Sequence, residues 1–410
     1  MKAKKIHYSW VICFCGALMM FIGIGLPGNT FSGYLPFLIE SGYTNTQVST
    51  LGTIRFLSAL GAMFFAVQYI KKTGVRLGIA LAGLSAGLSF AAYGFARNYV
   101  MCCVGAVLSG FADSLGGLVP LSILISNWFK KSRSTAMGIV TAGTGVATIG
   151  IPSLQTWIIE TYSMKAAFFA EAIFVLSCVV VIFLLVRDNP EEMGLEAYGA
   201  EHGQENAENA RSLSLDSGGL HGKMLVLMCI AVFPLGTVGT TAFTNLQILY
   251  TTAGIEPAHA AVYFTVAGGC LTLGKLLYGK LADSVGVYKT SFLFFGCVTF
   301  GLVLCCFADN GGSALACAAM ALYGFGISLT TVGFSTIIAS LSTAHDYPWT
   351  LRKTQIIYKL GSLAFSFLPG VVADSVGSYV PTYYMFVVLS VMIAVMILMI
   401  YRRVRPRNMW

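Results

Sequence analysis

Long apolar runs separated by short polar stretches follow one another along almost the whole chain. With a window of about 19 residues, close to the length of a helix that crosses a bilayer, this pattern predicts twelve transmembrane helices. Several segments exceed the roughly 20 residues that a perpendicular helix needs, so we expect tilt and kinks at Gly and Pro. The predicted segments are 10–37, 46–70, 76–96, 99–129, 135–159, 165–187, 223–251, 257–282, 287–307, 313–342, 352–373 and 380–401.

A polar stretch between the sixth and seventh segments divides the twelve into two groups of six. It runs from Asp188 to Gly222 and holds 8 of the 17 acidic residues. The pattern therefore predicts an all-α membrane protein with an N-terminal six-helix bundle over 1–187 and a C-terminal bundle over 223–410. We expect 188–222 to be a flexible cytoplasmic linker.

The composition agrees with a membrane protein and excludes most soluble enzyme classes. Of 410 residues, 56% are hydrophobic and only 10% are charged, which is far from the composition of soluble domains. The formal net charge of +8 is scattered between apolar segments, so it favours a lipid bilayer over nucleic acid as the partner. The five His and eleven Cys form no metal-ligand pattern, and we expect no metal and no cofactor.

Lysine and arginine are distributed unevenly between the two sets of loops. The five loops of one set, with the helix ends next to them, hold only Arg97 and Lys165, and three more cations lie deep within helices. All the other cations lie in the opposite set of loops or at the helix ends next to it, and this set includes both termini. The positive-inside rule therefore predicts that the termini and the linker are cytoplasmic.

The loop after the second helix of each half carries a related string of residues. The second half has Gly279-Lys-Leu-Ala-Asp283-Ser-Val-Gly286, and the first half has Val67-Gln-Tyr-Ile-Lys71-Lys72-Thr-Gly74 in register. This resembles the loop signature of the major facilitator superfamily, whose two six-helix halves enclose a central cavity. The first copy has Lys71 in the acidic position. By this resemblance Asp283, Gly279 and Gly286 are expected to act in coupling or gating.

Two further strings resemble a narrower group within that superfamily. Trp128-Phe129-Lys-Lys-Ser-Arg133, followed by Ala136-Met-Gly138, and the string Asn189-Pro190-Glu-Glu-Met-Gly194 look like oxalate/formate antiporter-like and monocarboxylate porters. The resemblance implies a pseudo-symmetric pair of bundles and transport of a small carboxylate. It covers nearly the whole chain.

Ionisable residues inside the predicted helices are the best functional evidence, because each costs roughly 2.5 to 3.5 kcal/mol at a helix centre. Lys275 lies eight residues before Asp283, about 12 Å inside the cytoplasmic end of its helix, on a small or polar stripe that includes Thr272. The related porters have a substrate-binding Arg at this position. The alternative is a lysine that snorkels to the interface.

Lys359 shares one helix face with Gln355, Ser362 and Ser366. It resembles the helix 11 lysine that meets the substrate carboxylate in oxalate/formate-type antiporters. Its depth is about 10 Å from the cytoplasmic start, comparable to that of Lys275, so both ammonium groups are expected to hold one anion. Snorkelling is again the alternative.

Asp113 and Arg55 lie near the middle of the fourth and second helices. Asp113 is either a structural partner of Arg55 or a carboxyl that binds and releases a coupling proton. Arg55 is either that partner or a third contact to the anion. Glu171 lies close to a helix end, where an interfacial position is expected. Three buried cations against one or two acids leave a positive interior, which favours an anionic substrate.

Polar side chains in other helices are weaker candidates. Asn245 in the seventh helix and Tyr34 in the first could contact the substrate, although an interhelical hydrogen bond is the more ordinary role for each.

The sequence therefore predicts a secondary transporter for a mono- or dicarboxylate, working as a proton symporter or an anion exchanger and using no cofactor. The rival is a proton-driven exporter of lipophilic or cationic compounds, which needs an acidic cavity. A non-transporting membrane sensor is the rival from another class, and no cluster typical of an enzyme is present. We expect a monomer in a bacterial inner membrane.

Overall fold

The computed structural model describes residues 7–130, 133–199, 220, 222–310, 312–342 and 346–404. Within these ranges the chain is helical, without a strand of more than one bridge, and holds twelve helices long and apolar enough to cross a membrane. These twelve helices are numbered span 1 to span 12. Their bounds are Ser9–Glu40, Asn45–Phe65, Val75–Phe95, Tyr99–Trp128, Thr135–Thr161, Met164–Leu185, Lys223–Thr244, Pro257–Ala282, Val287–Cys305, Gly312–Leu341, Trp349–Val376 and Val380–Val404.

Six of the spans are interrupted, and the interruptions take the same places in the two groups of six. The first, fourth and fifth spans of each group are broken, whereas the second, third and sixth are single helices. Pro and Gly explain several breaks, since neither continues a helix well. The single helices are Asn45–Thr73, Val75–Phe95, Met164–Leu185, Pro257–Val285, Val287–Cys305 and Val380–Val404.

The broken spans consist of helical pieces. Span 1 has Ser9–Met20, the π-helix Phe21–Asn29, the 3-10 helix Thr30–Tyr34 and Leu35–Glu40. Span 7 has Lys223–Gly236, the π-helix Thr237–Thr241 and Ala242–Thr244, and Leu246–Thr252 follows it. The remaining pieces are Tyr99–Leu115 and Leu118–Trp128, Arg133–Ala147 and Ile151–Thr161, Gly312–Ile327, Ser328–Thr330 and Val332–Leu341, and Tyr347–Phe365 and Leu368–Val376.

A single glycine connects the helix Asn45–Thr73 to the helix Val75–Phe95, and another connects Pro257–Val285 to Val287–Cys305. Gly74 has φ +86° and Gly286 has φ +94°, a conformation that residues with a Cβ rarely adopt. These are the last glycines of the two related loop strings, so the helix geometry explains why a glycine recurs at this point. Gly286 thus has a structural reason to be present, whatever its part in gating.

The chain forms two compact units that cut across the order of the sequence. The first unit comprises Met1–Gly28, Leu57–Ala147 and Tyr162–Asn209, and the second comprises Asn29–Phe56, Thr148–Thr161 and Ala210–Trp410. The division into bundles at 1–187 and 223–410 stays a prediction. One end of spans 1, 2 and 5 is packed with the spans of the C-terminal group.

Small residues permit close helix packing inside the first unit. Span 3 lies against span 6, where a Cβ on Gly87 would come 2.6 Å from Leu176. On its other side Ser89 Oγ donates to the Gly105 carbonyl oxygen of span 4, at 2.8 Å. Van der Waals contact and interhelical hydrogen bonds are the forces expected between helices in lipid.

The first part of the predicted linker is folded against the first unit. Asn127 Nδ2 donates to the Asp188 carbonyl oxygen at 3.1 Å, and Tyr198 is bridged to Phe129. Asn189 forms a capping box on the turn Pro190–Met193. The expectation of a flexible linker is therefore wrong for residues 188–199, while residues 200–219 and 221 lie outside the described part of the chain.

Asp188 caps the start of span 3. Its Oδ1 accepts a hydrogen bond from the Arg76 backbone N–H at 2.6 Å, and a Cβ on Gly74 would touch its Oδ2. A carboxylate at a helix N-terminus satisfies a backbone donor and favours the helix dipole. A carboxylate from the linker thus lies beside the loop whose own acidic position holds Lys71.

Replacing Asp188 with alanine is expected to lower the free energy of unfolding by about 1 kcal/mol, the usual cost of losing a helix cap. Thermal unfolding of the purified protein measures the loss. The matched control is Glu196→Ala, which removes an exposed carboxylate from the same segment. Equal unfolding temperatures for the two variants would show that the cap contributes nothing.

Candidate substrate site

Among the described residues, three charged side chains have less than a tenth of their surface exposed. Two of them are cations in the second unit. Lys275 is 5% exposed and Arg55 is 8% exposed, while Asp113 of the first unit is 9% exposed. Burial of a charge is costly, so such groups tend to line functional paths. The second unit therefore concentrates buried positive charge.

Lys275 lies inside span 8, seven residues from its Ala282 end and so about 10 Å along the axis. Because its side chain is almost fully buried, the snorkelling alternative, which puts the ammonium group in water, does not describe this structure. The predicted stripe is present on the same face. Thr272 Oγ1 donates to the Gly268 carbonyl oxygen at 2.9 Å, so its proton is engaged within the helix.

The stripe of span 8 that leads to Lys275 meets span 5 at its other end. Thr265 Oγ1 lies 3.2 Å from Ser153 Oγ, and a Cβ on Gly268 would touch Thr148. Beyond Lys275, no atom lies within 4 Å of a Cβ on Gly279. One face of span 8 thus changes from close packing at Gly268 to open space at Gly279.

Lys359 is half-buried in span 11, ten residues after Trp349 and so about 15 Å along the axis. The face it shares with Ser362 and Ser366 is interhelical, because Ser362 Oγ donates to the Gly236 carbonyl oxygen of span 7 at 3.0 Å. Ser366 Oγ lies 2.7 Å from Thr53 Oγ1 of span 2. Gln355, on the same face, is partly exposed.

Span 7 is irregular where polar residues are concentrated, and two buried tyrosines brace it. The Tyr323 hydroxyl of span 10 donates to the Val238 carbonyl oxygen. The Tyr383 hydroxyl of span 12 donates to the Ala242 carbonyl oxygen at 2.7 Å. The two hydroxyls thus donate to carbonyl oxygens in and just after the π-helix Thr237–Thr241. These two hydrogen bonds could not be predicted from the sequence, because no local pattern indicates which tyrosine meets span 7.

The contacts of Asn245 and Tyr34, the weaker candidates, that the structure describes are local to their own spans, so the interhelical hydrogen bond stays a prediction for each. Asn245 Nδ2 donates to the Thr241 carbonyl oxygen at 2.8 Å, and the residue is 5% exposed. Tyr34 is fully buried in span 1, with its ring centroid 5.9 Å from that of Phe31. Direct contact of either with a substrate stays a prediction.

Two buried amide side chains pack against the 3-10 piece Thr30–Tyr34 of span 1. Gln155 Nε2 of span 5 donates to Thr30 Oγ1 at 3.1 Å. A Cβ on Gly33 would come 2.8 Å from Gln155 Oε1 and 3.6 Å from Gln247 Oε1. Gln247 is fully buried, and neither atom of its amide has a hydrogen-bond partner in the structure. Only glycine at position 33 leaves room for both amides.

For Asp113, Arg55 and Asp283, the structure leaves the predicted roles as predictions. The Asp113 side chain belongs to the first unit and Arg55 to the second, and their pairing stays a prediction. The Asp283 side chain lies outside the described residues, as do those of Val67 and Lys71. Within the described ranges, no group of three or more His, Cys, Asp or Glu is placed to hold a metal ion.

Comparisons with known proteins place the chain in a family. The family model of the Major Facilitator Superfamily matches residues 12–348. Monocarboxylate transporter 13 of Rattus norvegicus is 25% identical over 327 residues, covering 76% of this chain and 70% of the relative. The agnestins efflux protein AgnL12 of Paecilomyces divaricatus is 23% identical, covering 73% of this chain and 64% of that protein.

A solved structure has the same fold. The crystal structure of a point mutant of the nucleoside transporter NupG aligns with a TM-score of 0.72 at 10% identity, covering 96% of this chain and 100% of that one. Together with the twelve spans, the match of the family model over most of the chain decides the class. The chain belongs to the Major Facilitator Superfamily and is a multi-pass membrane transporter, not an enzyme.

Proposed function

We propose that this transporter carries a small organic anion, a mono- or dicarboxylate, and that Lys275 and Lys359 bind the carboxylate. The observation that carries the proposal is the burial of Lys275, at 5% exposure, on a polar face of span 8. An ammonium group in such a position is stabilised by an anion that donates no proton and accepts several hydrogen bonds. A carboxylate has this chemistry.

The charge of the buried side chains and the relatives of this chain support the same substrate class. Both charged side chains that are buried in the described part of the second unit, Arg55 and Lys275, are cations. Lys359 adds a third positive charge, about 15 Å along span 11 from Trp349, compared with about 10 Å between Lys275 and the Ala282 end of span 8. Monocarboxylate transporters are among the relatives at about a quarter identity. Arg55, Thr272 and Gln355 are the further groups that we assign to the anion or to its hydration.

The mechanism that follows is alternating access around the cationic site. Anion binding neutralises buried positive charge, which lowers the cost of enclosing the site in a medium of low dielectric constant. The empty site keeps this cost, so closure is favoured when the anion is bound.

Asp113 separates anion exchange from proton symport experimentally. Proteoliposomes that contain Asp113→Asn can be assayed for exchange of labelled against unlabelled carboxylate and, separately, for uptake driven by a pH gradient. Exchange without gradient-driven uptake would assign the coupling proton to Asp113. If both activities survive, Asp113 is not the group that carries the coupling proton, and the transporter takes its proton elsewhere.

Export of lipophilic compounds is the second candidate, because one relative is an efflux protein. A screen of thermal stability in detergent distinguishes the two. Formate, lactate, oxalate and succinate are tested against lactamide, which keeps the shape of lactate without its charge, and against hydrophobic cations. At a hundredfold excess over its dissociation constant, a ligand that binds only the folded state stabilises it by about 2.7 kcal/mol.

Lys359→Ala is expected to weaken binding of the stabilising carboxylate about tenfold, because the lysine is only half-buried and water partly replaces its contact. The shift in midpoint of a ligand titration measures the change. Lys353→Ala is the matched control, since Lys353 lies on the same helix with its ammonium group 3.6 Å from the Trp349 ring centroid. Stabilisation by hydrophobic cations and by no carboxylate would overturn the proposal.

A further inference from the structure

The end of span 2 that carries Asn45 is joined to span 11 by a compact set of hydrogen bonds. Asp374 Oδ1 accepts from the Asn45 backbone N–H at 3.0 Å and from Asn45 Nδ2 at 2.8 Å. Asp374 Oδ2 accepts from the Thr46 backbone N–H at 2.8 Å and from Thr46 Oγ1. One carboxylate therefore receives four hydrogen bonds from two consecutive residues of another span.

At the start of span 2, the local cap leaves two backbone N–H groups that a residue from elsewhere in the chain can satisfy. Thr44 and Gln47 cap each other, with the Gln47 backbone N–H donating to Thr44 Oγ1 at 3.1 Å and the Thr44 backbone N–H to Gln47 Oε1 at 3.0 Å. The first N–H groups of a helix have no partner within the helix. The local cap leaves those of Asn45 and Thr46, which are the two that Asp374 satisfies.

Further contacts between span 2 and span 11 follow along both helices. The Tyr379 hydroxyl, just beyond span 11, donates to Asn45 Oδ1 at 2.9 Å. Burial, with the neighbouring Asp374 charge adding to it, raises the pKa of Tyr379, so the hydroxyl stays a donor. One turn down, a Cβ on Gly370 would come 2.5 Å from Ser49 Oγ. Two turns down lies the Thr53–Ser366 contact.

We infer that Asp374 is a latch that holds span 2 of the first six helices against span 11 of the second six. The predicted orientation puts this end on the outer side of the membrane. Since transporters of this fold open to each side in turn, the Asp374 contacts must break whenever the site opens here. The latch follows from the fold and does not depend on which substrate is carried.

The exposure of the latch suits it to repeated release. Asp374 is exposed, and Asn45 and Thr46 are partly exposed, so water can take the place of each hydrogen bond when the helices part. A buried carboxylate would be left with a large desolvation cost in the open state. Asp374 therefore biases the equilibrium between the closed and open states without preventing either.

A cysteine below the latch reports its opening. Ser49 is 7% exposed, so Ser49→Cys should react slowly with a membrane-impermeant maleimide. In the Ser49→Cys background, Asp374→Ala is expected to raise the labelling rate about tenfold, as expected for loss of a helix cap, and Asp374→Asn to raise it less. Labelling is compared in intact cells and in inside-out vesicles, with the unsubstituted protein as the baseline for native cysteines.

The matched control is Asp309→Ala. Asp309 is a second exposed acid near this end, which accepts one hydrogen bond, from Ser378 at 3.3 Å. Its removal should leave the labelling rate unchanged, and equal rates for Asp309→Ala and Asp374→Ala would overturn the latch. Thr46→Val removes one bond and keeps the acid, so a two- to threefold rise is expected. A thermal unfolding curve for each variant distinguishes opening from loss of fold.

Discussion

Replacing Lys275 with alanine is expected to abolish carboxylate binding, weakening it by a factor of about 100 or more. The ammonium group is almost fully buried, and truncating one member of a desolvated charge pair typically costs 2 to 5 kcal/mol. Ligand-induced stabilisation, or direct calorimetric titration with the carboxylate found in the screen, measures the loss. The unligated unfolding temperature separates lost binding from lost fold.

Two companion variants make this result specific. Lys275→Arg keeps the charge and should recover part of the affinity, although the guanidinium fork has different geometry from an ammonium group. Lys280→Ala removes an exposed lysine five residues further along the same helix and should leave affinity unchanged. If Lys275→Ala binds the carboxylate as tightly as Lys280→Ala does, then Lys275 is not a ligand and the anion site lies elsewhere.

Replacing Gly361 with alanine is expected to cost about 3 kcal/mol of stability, at the upper end for overpacking of an interior. A Cβ at this position would fall on the Phe233 carbonyl oxygen of span 7. Because that neighbour is backbone, a change of rotamer cannot relieve the clash. The Thr237 hydroxyl also donates to the Gly361 carbonyl oxygen at 2.9 Å, and this bond would be strained as the helices separate.

Thermal unfolding in detergent measures the effect, with Gly296→Ala as the control. Gly296 is also inside a span, but no atom lies within 4 Å of its Cβ position, so alanine there should be neutral or slightly stabilising. Similar unfolding temperatures for the two variants would mean that spans 7 and 11 can separate at little cost. Gly361 lies two residues after Lys359, so the clash should also displace a proposed ligand.

Composition and spacing revealed most of the architecture in advance. Twelve spans were predictable because a bilayer selects for a run of apolar residues, which is a local property of the chain. Lys275 could be singled out for the same reason, since a charge in such a run is visible without any structure. Gly286 was visible through the repeated loop string, and its positive φ supplies the physical reason.

The sequence alone did not reveal which residues meet. Asp374 and Asn45 are 329 positions apart, and a polar residue near a span end gives no indication of its partner. Gly361 is one of 45 glycines, and no local pattern tells which of them lies against a backbone carbonyl. The folded first part of the linker was missed because its polar composition is shared by flexible segments.

The sequence by itself therefore determined that this chain is a twelve-span membrane protein with lysines inside its apolar segments, whereas the burial of Lys275 was decided by the structure. The free energy of placing a segment in lipid is largely the sum of the contributions of its residues, so it can be calculated from the sequence alone. Only the tertiary structure showed the contacts of Asp374 with span 2, the hydrogen bonds from two tyrosines to span 7, and the close packing of spans 7 and 11 at Gly361. Each depends on atoms brought together from distant parts of the chain, where packing and hydrogen bonding act over a few ångströms.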